Sequence, residues 1–404
     1  MSQPMPALET RLLNEYQSGF PLVRAPFAAI ARALGVAEAD VLATLARLAA
    51  EDKVSRVGAV FRPGTIGVST LAAMVVPADD LDRVAGIVSA RPEVNHNYER
   101  EHRYNLWFVV TAADAAALAG TLAAIESATG HAAIVLPLLE DHWIDLSFAL
   151  GADLARDRND VRRRIGARRV ARPESLSAID RLLVQALERG LPMTAHPYAR
   201  LAVQAGTSEA YVQVRLAEWL NRGVIKRLGV VVRHRALGYT SNAMCVWDVP
   251  DADAGALGEA LANESGVTLC YRRERARPQW RYNLFCMIHG RDRGAVTARL
   301  AALSASHHLD RFAHAVLFSR QAFKQRGARY GLAARGAVFN RPDGARGAEF
   351  IRPGGAGISA NEFAPTDGAR GAEFIRPGGA RISANEFAPT NDFASTESTA
   401  APGD

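Results

Sequence analysis

The 404-residue sequence predicts an α+β protein made of two tandem copies of one unit, each a winged helix-turn-helix followed by a ferredoxin-like βαββαβ domain, and a disordered C-terminal tail. The repeat is visible directly. SRVGAVFRPGTIG (Ser55–Gly67) parallels KRLGVVVRHRALG (Lys226–Gly238) without a gap, and RYNLWFVVTAAD (Arg103–Asp114) parallels RYNLFCMIHGRD (Arg281–Asp292). Each copy also opens with the apolar period of a helix and continues with alternating strand and helix patterns.

Three helices are expected at the start of each half. Apolar residues recur at i, i+3 and i+4 over Pro6–Tyr16 and over Leu176–Arg189. A short helix, a glycine-containing turn and a third helix follow, in FAAIARALGV-AEADVLATLARLAAED and in YARLAVQAGT-SEAYVQVRLAEWLNRG. In the second copy, Thr207 with Ser208 predicts an N-cap and Gly223 predicts a C-cap. This order, followed by a strand, predicts a winged helix-turn-helix.

The remainder of each half alternates strands and helices in the order βαββαβ. In the first half we expect strands at Ser69–Val76, Val94–Glu99, Asn105–Thr111 and Ile134–Leu139, and helices at Asp79–Ala90 and Asp114–Thr129. In the second half we expect strands at Thr240–Val249, Thr268–Arg273, Tyr282–Ile288 and Arg311–Phe318, and helices at Ala254–Asn263 and Arg293–Ser304. This order predicts an antiparallel sheet with two helices on one face.

The predicted boundaries divide the chain into winged helix-turn-helix domains at 6–62 and 175–233, ferredoxin-like domains at 63–150 and 234–326, an arginine-rich linker at 151–174 and a tail at 327–404. Eight arginines against two aspartates lie between Arg156 and Arg172, so they account for the formal net charge of +6. We interpret this stretch as a solvated connection. The tail repeats a 24-residue segment, Gly344–Asp367 and Gly368–Asn391, and its Gly, Pro and Ala content predicts disorder.

Composition excludes several classes of protein. The apolar runs fall far short of the roughly 20 residues that a membrane helix needs, and MSQPMPALETRLL has neither the basic start nor the cleavage site of an export signal. Cys245, Cys270 and Cys286 form no C-x-x-C pair. We therefore expect a cytoplasmic protein without membrane contact, disulfide or protein-bound metal.

The charge of the third helix in each half disfavours DNA binding. DNA affinity comes largely from Lys and Arg at the phosphates, but the first candidate recognition helix, Ala37–Asp52, carries four acidic residues against Arg47 alone. The second, Thr207–Gly223, balances two glutamates with Arg215 and Arg222. We therefore expect these domains to pack the two halves together.

Polar side chains crowd the second strand of each ferredoxin-like domain and the residues after it. In VNHNYEREHRYNLWF the alternating residues share one strand face if no bulge intervenes; they are His96, Tyr98, Arg100, His102 and Tyr104. The corresponding LCYRRERARPQWRYNLFCMIHG contains Tyr271, Arg273, Trp280, Tyr282, Asn283 and His289. Buried polar groups must each find partners, so a structural role rarely asks for so many. The alternative is an exposed edge with solvated side chains.

These residue types suit a planar polycarboxylate. Arginine forks bind carboxylates, Tyr and Trp offer flat surfaces, and His donates protons near neutral pH. The sequence contains no Ser-His-Asp order, H-E-x-x-H motif, P-loop or Rossmann glycine fingerprint. A nucleotide or a peptide is therefore a poorer candidate.

At these residues the sequence resembles the siroheme decarboxylases of heme d1 and alternative heme biosynthesis, and most the fused NirD–NirL type, within the Lrp/AsnC-like superfamily with its AsnC/RAM-type domain. The resemblance rests on SRVGAVFRPGTIGVSTLAAM, HNYEREHRYNLWFV and LPLLEDHWIDLSF, and on VVRHRALGYTSNAMCVWDVPD, TLCYRRERARPQWRYNLFCMIHGRDR and LFSRQAFKQRGARY. It covers about Glu9–Tyr330. Arg281 departs from the proline that commonly precedes YNL, and the duplicated tail lies outside the family pattern.

The resemblance implies a carboxy-lyase that removes two acetate carboxylates of siroheme as carbon dioxide to give 12,18-didecarboxysiroheme, with the tetrapyrrole between the paired ferredoxin-like halves. The conjugated macrocycle accepts the electron pair, so no cofactor is expected beyond the iron-tetrapyrrole substrate. His96 and His102 are then the candidate proton donors.

The other candidate site residues are expected to bind the substrate. Arg100 and Arg273 would hold carboxylates, Tyr98 and Tyr271 would hydrogen-bond them, Trp280, Tyr104 and Tyr282 would line the pocket, Asn105 and Asn283 would orient neighbours, and His289 is a weaker candidate for an acid or an iron ligand. His96 aligns with Leu269, and the His102 region aligns with the inserted ARPQW. We therefore expect one catalytic half and one supporting half.

Two other functions stay open at this point. A transcription regulator of the Lrp/AsnC type that responds to heme or a small ligand would bind DNA through Arg47, Arg215 and the linker, and salt would weaken that binding. A tetrapyrrole carrier would bind the pigment without releasing carbon dioxide. Siroheme is the expected partner; homologous decarboxylase subunits of the same pathway and a second copy of the chain are further candidates, whereas DNA and membranes are not expected.

Overall fold

The computed structural model describes residues 7–144 and 173–331. The arginine-rich stretch between Arg156 and Arg172 and the duplicated tail lie outside the described residues. Within the described ranges, no helix is both long and apolar enough to cross a membrane.

The elements follow the predicted order in both halves. The first half contains α1 (Ala7–Glu15), α2 (Pro26–Leu34), α3 (Glu38–Ala50), β1 (Val54–Phe61), β2 (Val68–Met74), α4 (Leu81–Ala90), β3 (Val94–Arg100), β4 (Leu106–Ala112), α5 (Ala115–Thr129) and β5 (Ala133–Ile144). The second half contains α6 (Ala178–Glu188), α7 (Pro197–Ala205), α8 (Glu209–Asn221), β6 (Ile225–Val232), β7 (Ser241–Trp247), α9 (Asp251–Ala262), β8 (Val267–Arg273), β9 (Leu284–Gly290), α10 (Arg293–His307) and β10 (His314–Gln325). The α+β prediction with two copies of the unit is confirmed.

The ends of α8 follow from local hydrogen bonding. The Ser208 hydroxyl accepts the backbone N–H of Tyr211 at 3.2 Å and so caps the helix, as predicted. Arg222 is the C-cap, and Gly223 follows it with a φ of 72°, a left-handed conformation that glycine adopts without strain. The predicted C-cap was therefore one residue late.

The strands of the two ferredoxin-like domains close into one barrel, in the order β10-β3-β4-β2-β5-β8-β9-β7. Two strands make the closure. β5 pairs with β2 of its own half and with β8 of the other, and β10 pairs with β7 and with β3. Both extend beyond the predicted Ile134–Leu139 and Arg311–Phe318, because the added residues pair with the opposite half.

The strand after the third helix of each half pairs with its counterpart instead of forming a wing hairpin. β1 and β6 are antiparallel, with Gly58 opposite Gly229. A Cβ at Gly229 would collide with the carbonyl oxygens of Tyr16 and Gln17, so glycine lets the chain after α1 lie directly on β6. The first helix of each half thus packs on the strand of the other half, and one hydrophobic core joins the two winged-helix domains, as expected.

The barrel sheet separates three further cores. The interior is filled by residues from both halves, among them Trp107, Trp280, Phe285 and Leu317. One outer core lies between the first half's strands and α4 and α5, and the other lies between the second half's strands and α9 and α10. Alternation along the strands therefore buries both faces of the barrel sheet.

Candidate active site

A cavity of about 210 Å³ lies between the β1–β6 sheet and the barrel. Its wall is formed by β1 and β6, the start of β3, the end of α6 and the residues that follow β10. Chemically distinctive side chains in this wall are the basic Arg56, Lys226, Arg227, Arg233 and Arg326, the aromatic Phe61 and Tyr330, and His96 with Glu188. Both halves therefore contribute to one site.

The cavity wall is basic, since it contains five cationic side chains and one carboxylate; two of the cations also have carboxylate partners outside the wall, Lys226 with Asp141 at 3.2 Å and Arg233 with Asp52 at 3.0 Å. Burial, and next the charge of the neighbouring Arg227, lower the pKa of Arg56 to about 10. Arg56 Nη2 donates to the carbonyl oxygen of Ala59 at 3.1 Å, while Nε has no hydrogen-bond partner. Within the described ranges no carboxylate forms an ion pair with Arg56. A guanidinium held in this way is complementary to an anionic ligand.

His96 lies in this wall at the head of a row of three polar side chains. Its ring stacks on that of Tyr98, with centroids 6.1 Å apart, and the Arg100 guanidinium lies 5.7 Å from the Tyr98 ring centroid. The predicted common face is therefore present for these three residues. Burial, and next the charge of Arg56, lower the pKa of His96 to about 4, so its imidazole is neutral at pH 7.

The predicted face ends at Arg100, and the prediction is wrong for His102 and Tyr104. The Arg100 N–H donates to the carbonyl oxygen of Asn105 at 2.8 Å, which closes a tight connection to β4. His102 and Tyr104 lie in that connection and not on β3. Strand parity stops applying where the strand stops.

His102 instead belongs to an aromatic cluster around the buried Trp280. The ring centroid of Trp280 lies 5.4 Å from His102, 6.0 Å from Tyr104, 5.0 Å from Tyr282 and 5.0 Å from Trp107. The Tyr104 N–H donates to His102 Nδ1 at 3.0 Å, and burial lowers the pKa of His102, so the neutral ring carries its proton on Nε2. Residues of this cluster are absent from the wall of the His96 cavity.

Arg100 and Arg273 occupy equivalent positions in the two halves and reach across the barrel seams. Nη1 of Arg100 donates to the carbonyl oxygen of Leu317 at 3.2 Å, and Nη1 of Arg273 donates to that of Leu136 at 2.7 Å. The Arg273 guanidinium also lies 4.6 Å from the Tyr271 ring centroid. Burial lowers the pKa of both arginines, and the Nε of each has no partner. These are costly groups that an anion would stabilise.

The amides of Asn105 and Asn283 are engaged by the backbone. Asn105 accepts the N–H of Val76 at 3.0 Å and donates to its carbonyl at 2.8 Å. Asn283 makes the same pair of bonds with Val249, at 2.9 and 3.0 Å. Both side chains thus fix the chain beyond β2 and β7, which is a positioning role and not direct contact with a ligand.

His289 lies away from the cavity wall, at the end of β9. Its Nδ1 is 2.7 Å from the Thr268 hydroxyl oxygen. In the described part of the chain, no group of three or more His, Cys, Asp or Glu side chains is arranged to hold a metal ion. The geometry therefore favours His289 as a hydrogen-bonded side chain of the barrel.

Opposite Tyr271 of the second half, the position that corresponds to Ala322 opposite Tyr98 is occupied by an ion cluster. Asp141 is opposite Tyr271 in the β5–β8 ladder, as Ala322 is opposite Tyr98 in the β10–β3 ladder. The Asp141 carboxylate lies 3.2 Å from the Lys226 ammonium and 3.5 Å from the Arg62 guanidinium, all three largely buried. The two halves therefore differ at this position, and one catalytic half with one supporting half stays a prediction.

The basic residues proposed for DNA contact are neutralised by neighbours. Arg47 forms ion pairs with Glu9 and with Glu51. Arg215 is bound by Asp180 at 2.9 Å, and also by Glu174 and Glu218. Ion-paired arginines offer little free charge to phosphates, which further disfavours DNA recognition by these helices.

Sequence reasoning missed most of the cavity wall. Arg56 and Arg227 lie at matching positions of the ungapped repeat, SRVG and KRLG, so the repeat itself was a signal for them. Arg326 and Tyr330 fall in LFSRQAFKQRGARY, which the resemblance included without a role. Glu188 carried no signal, because it is the last residue of an ordinary amphipathic helix.

Comparison with known proteins agrees with this architecture. A model of the AsnC-like ligand binding domain matches residues 65–141 and 236–324, and a model of the siroheme decarboxylase NirDL-like HTH domain matches residues 9–54 and 180–226. The siroheme decarboxylase NirDL subunit of Paracoccus denitrificans is 46% identical over 330 residues, 80% of this chain and 97% of that protein. The siroheme decarboxylase NirD subunit of Pseudomonas aeruginosa is 51% identical over 148 residues, 37% of this chain and 99% of that protein.

A solved structure has the same fold. It is the crystal structure of the siroheme decarboxylase NirDL in co-complex with an iron-uroporphyrin III analogue. It superimposes with a TM-score of 0.57 at 24% identity and covers 80% of this chain and 93% of that one. Matched in both domain types and along nearly the full length of a relative, this chain belongs to the NirDL-type siroheme decarboxylase family.

Proposed function

We propose that the chain removes two acetate carboxylates of siroheme as carbon dioxide, a carboxy-lyase reaction that gives 12,18-didecarboxysiroheme, in the His96 cavity. One observation carries the proposal. Five basic side chains line the same cavity as His96, and the half-buried Arg56 has no carboxylate partner in the described residues. The carboxylates on the rim of a planar polycarboxylate would pair with these basic side chains, and its flat face would stack on the aromatic rings of Phe61 and Tyr330. Membership of the siroheme decarboxylase family supports this substrate.

The cavity residues bind and orient the pigment. Carboxylates that stay on the product pair with Arg56, Arg227, Arg233 and Arg326, which fixes the position of the acetate that leaves. His96 contacts that acetate as a neutral ring and thereby orients it. Tyr98 and Arg100 continue the row on β3 and hold a further carboxylate at its inner end.

The chemical step breaks the bond between the carboxyl carbon and the adjacent methylene carbon. The macrocycle of the substrate takes up the electron pair, so the proposal needs no cofactor beyond the iron-tetrapyrrole itself. Enclosing the scissile carboxylate favours its loss, because the charge disappears as carbon dioxide forms. We also propose that the reaction takes place in the cytoplasm, and that homologous subunits of the NirD kind act beside this chain.

The test is anaerobic incubation with siroheme followed by mass spectrometry of the extracted pigment. We expect the wild-type protein to release two carbon dioxide units, and His96→Ala to lose about 100-fold in rate because the leaving acetate is no longer held in position. Arg100→Ala should also be impaired because Arg100 continues the row that starts at His96, whereas His102→Ala should retain most activity because His102 lies in neither that row nor the cavity wall. His314→Ala, at an exposed position of β10, is the matched control.

Two outcomes would move the assignment elsewhere. Bound pigment of unchanged mass would favour the carrier, and absence of pigment binding together with salt-sensitive DNA binding would favour the regulator. Full activity in His96→Ala with loss in His102→Ala would place the reaction at the aromatic cluster instead of the cavity.

A further inference from the structure

The reaction needs an acid that the previously named residues do not supply. Each loss of carbon dioxide leaves an electron pair that must end as a carbon–hydrogen bond, so one proton is consumed for each carboxylate removed. A general acid is effective when it is protonated at the working pH. His96 is uncharged at pH 7, and the N–H of a neutral imidazole is a very weak acid.

Glu188 is the carboxylate in the cavity wall. It is the last residue of α6, and its half-buried side chain reaches the same cavity as His96 although it comes from the opposite half. Oε1 accepts the backbone N–H of Tyr330 at 2.8 Å. Among the hydrogen bonds of the described residues, none engages Oε2, which leaves that oxygen for a ligand.

The surroundings of Glu188 favour its protonated form. Burial raises its pKa, and this effect exceeds the opposing effects of the Tyr330 N–H and of the three nearby arginines, Arg329, Arg189 and Arg326. The same cavity wall contains Arg56 of β1, Lys226 and Arg227 of β6, Arg233 directly after β6, and the neutral His96; Lys226 is paired with Asp141 and Arg233 with Asp52. Substrate carboxylates would neutralise these cations and add like charge, and both changes raise the proton affinity of Glu188.

His96 and Glu188 thus form a pair whose environments move their pKa values in opposite directions. Such pairs are candidates for acid and base roles, because a raised carboxyl pKa favours the protonated carboxyl group and a lowered imidazole pKa favours the neutral ring. In this cavity the carboxyl group of Glu188 is therefore the better candidate for the proton donor, although residue type alone suggests His96.

We propose that Glu188 is the proton donor of the decarboxylation, an assignment that rests on the proposed function. The bond between the methylene carbon and the carboxyl carbon breaks, carbon dioxide leaves, and the macrocycle takes up the electron pair. The Glu188 carboxyl O–H then transfers its proton to the methylene carbon, which becomes a methyl group, and the resulting carboxylate takes a proton from solvent before the second acetate reacts. Charge and atoms balance without an oxidant or reductant.

The test compares the wild-type protein with Glu188→Gln, which keeps an oxygen acceptor for the Tyr330 N–H and loses only the transferable proton. We expect the rate of carbon dioxide release from siroheme to fall by about 100-fold or more. Binding of iron-uroporphyrin III, followed by its absorption spectrum, should stay within about threefold, since a neutral amide replaces a neutral carboxyl group. Glu15→Gln, at an exposed ion pair of α1, is the matched control and should behave as wild type.

The pH profile separates a proton donor from a structural residue. The wild-type rate should fall as the pH rises through the pKa of Glu188, and the residual rate of Glu188→Gln should lack that limb. A Glu188→Gln protein that is folded, binds iron-uroporphyrin III and retains the wild-type rate and profile overturns the assignment. If the wild-type protein itself leaves siroheme intact, the proposed function fails first, and the two failures are thereby distinguished.

Discussion

The lowered pKa of His96 makes the stability of the protein depend on pH in a way that one substitution removes. An ordinary histidine has a pKa of 6.5, and burial beside Arg56 lowers that of His96 to about 4 in the folded protein. Between these values the unfolded chain binds the proton and the folded protein does not. The stabilising contribution is therefore complete above about pH 6.5 and is lost progressively as the pH falls toward 4.

The size of this contribution follows from the two pKa values. Its full extent is about 3 kcal/mol, and about 2 kcal/mol is lost between pH 7 and pH 5. His96→Gln removes the titrating ring, so acidification should cost the variant about 2 kcal/mol less than it costs the wild type. The assay is urea unfolding at pH 7 and pH 5, with His314→Gln as the control. Loss of stability that is equal in wild type and His96→Gln, within about 0.5 kcal/mol, would show that His96 titrates as a solvated residue.

Three further substitutions test the two ends of the β1–β6 sheet. Asp141→Asn leaves the buried Arg62 and Lys226 without their carboxylate, so urea unfolding should show a loss of about 3 kcal/mol. Ala322→Asp introduces a carboxylate at the equivalent position of β10, opposite Tyr98, and titration with iron-uroporphyrin III should show binding at least about tenfold weaker, whereas Ala322→Asn should bind nearly as wild type. A Cβ at Gly327 would lie 2.6 Å from Nη1 of Arg56, so Gly327→Ala should displace that guanidinium and weaken the same binding by about tenfold; an unchanged affinity would exclude Arg56 from the anion site.

The fold followed from the sequence where the information is local. The repeat and the apolar periods identified both copies of the unit, and Ser208 marked a helix start through its own hydroxyl. Pairing between the halves was not predicted, because the period of a strand reports which faces are buried and not which strand lies beside it. For that reason the sequence left β5 and β10 too short and gave no sign that β1 pairs with β6.

The same distinction between local and long-range information applies to the residues of the candidate site. His96, Tyr98 and Arg100 share a face because they alternate on one strand, and alternation can be read from sequence. His102 was misplaced because the end of β3 depends on the bond from Arg100 to Asn105, which no composition signal marks. Arg56 and Glu188 meet only when a strand of one half lies beside a helix of the other, so their proximity exists in the folded chain alone.

Closure of the barrel by β5 and β10 affects whether the site stays assembled at low protein concentration. Each half alone would present two open strand edges, which are prone to unwanted pairing. Two separate chains would have to find each other, and the fraction assembled would follow their concentration. Joined in one polypeptide, the halves meet at an effective concentration in the millimolar range. A cavity built from both copies is therefore complete once the chain has folded, whatever the expression level.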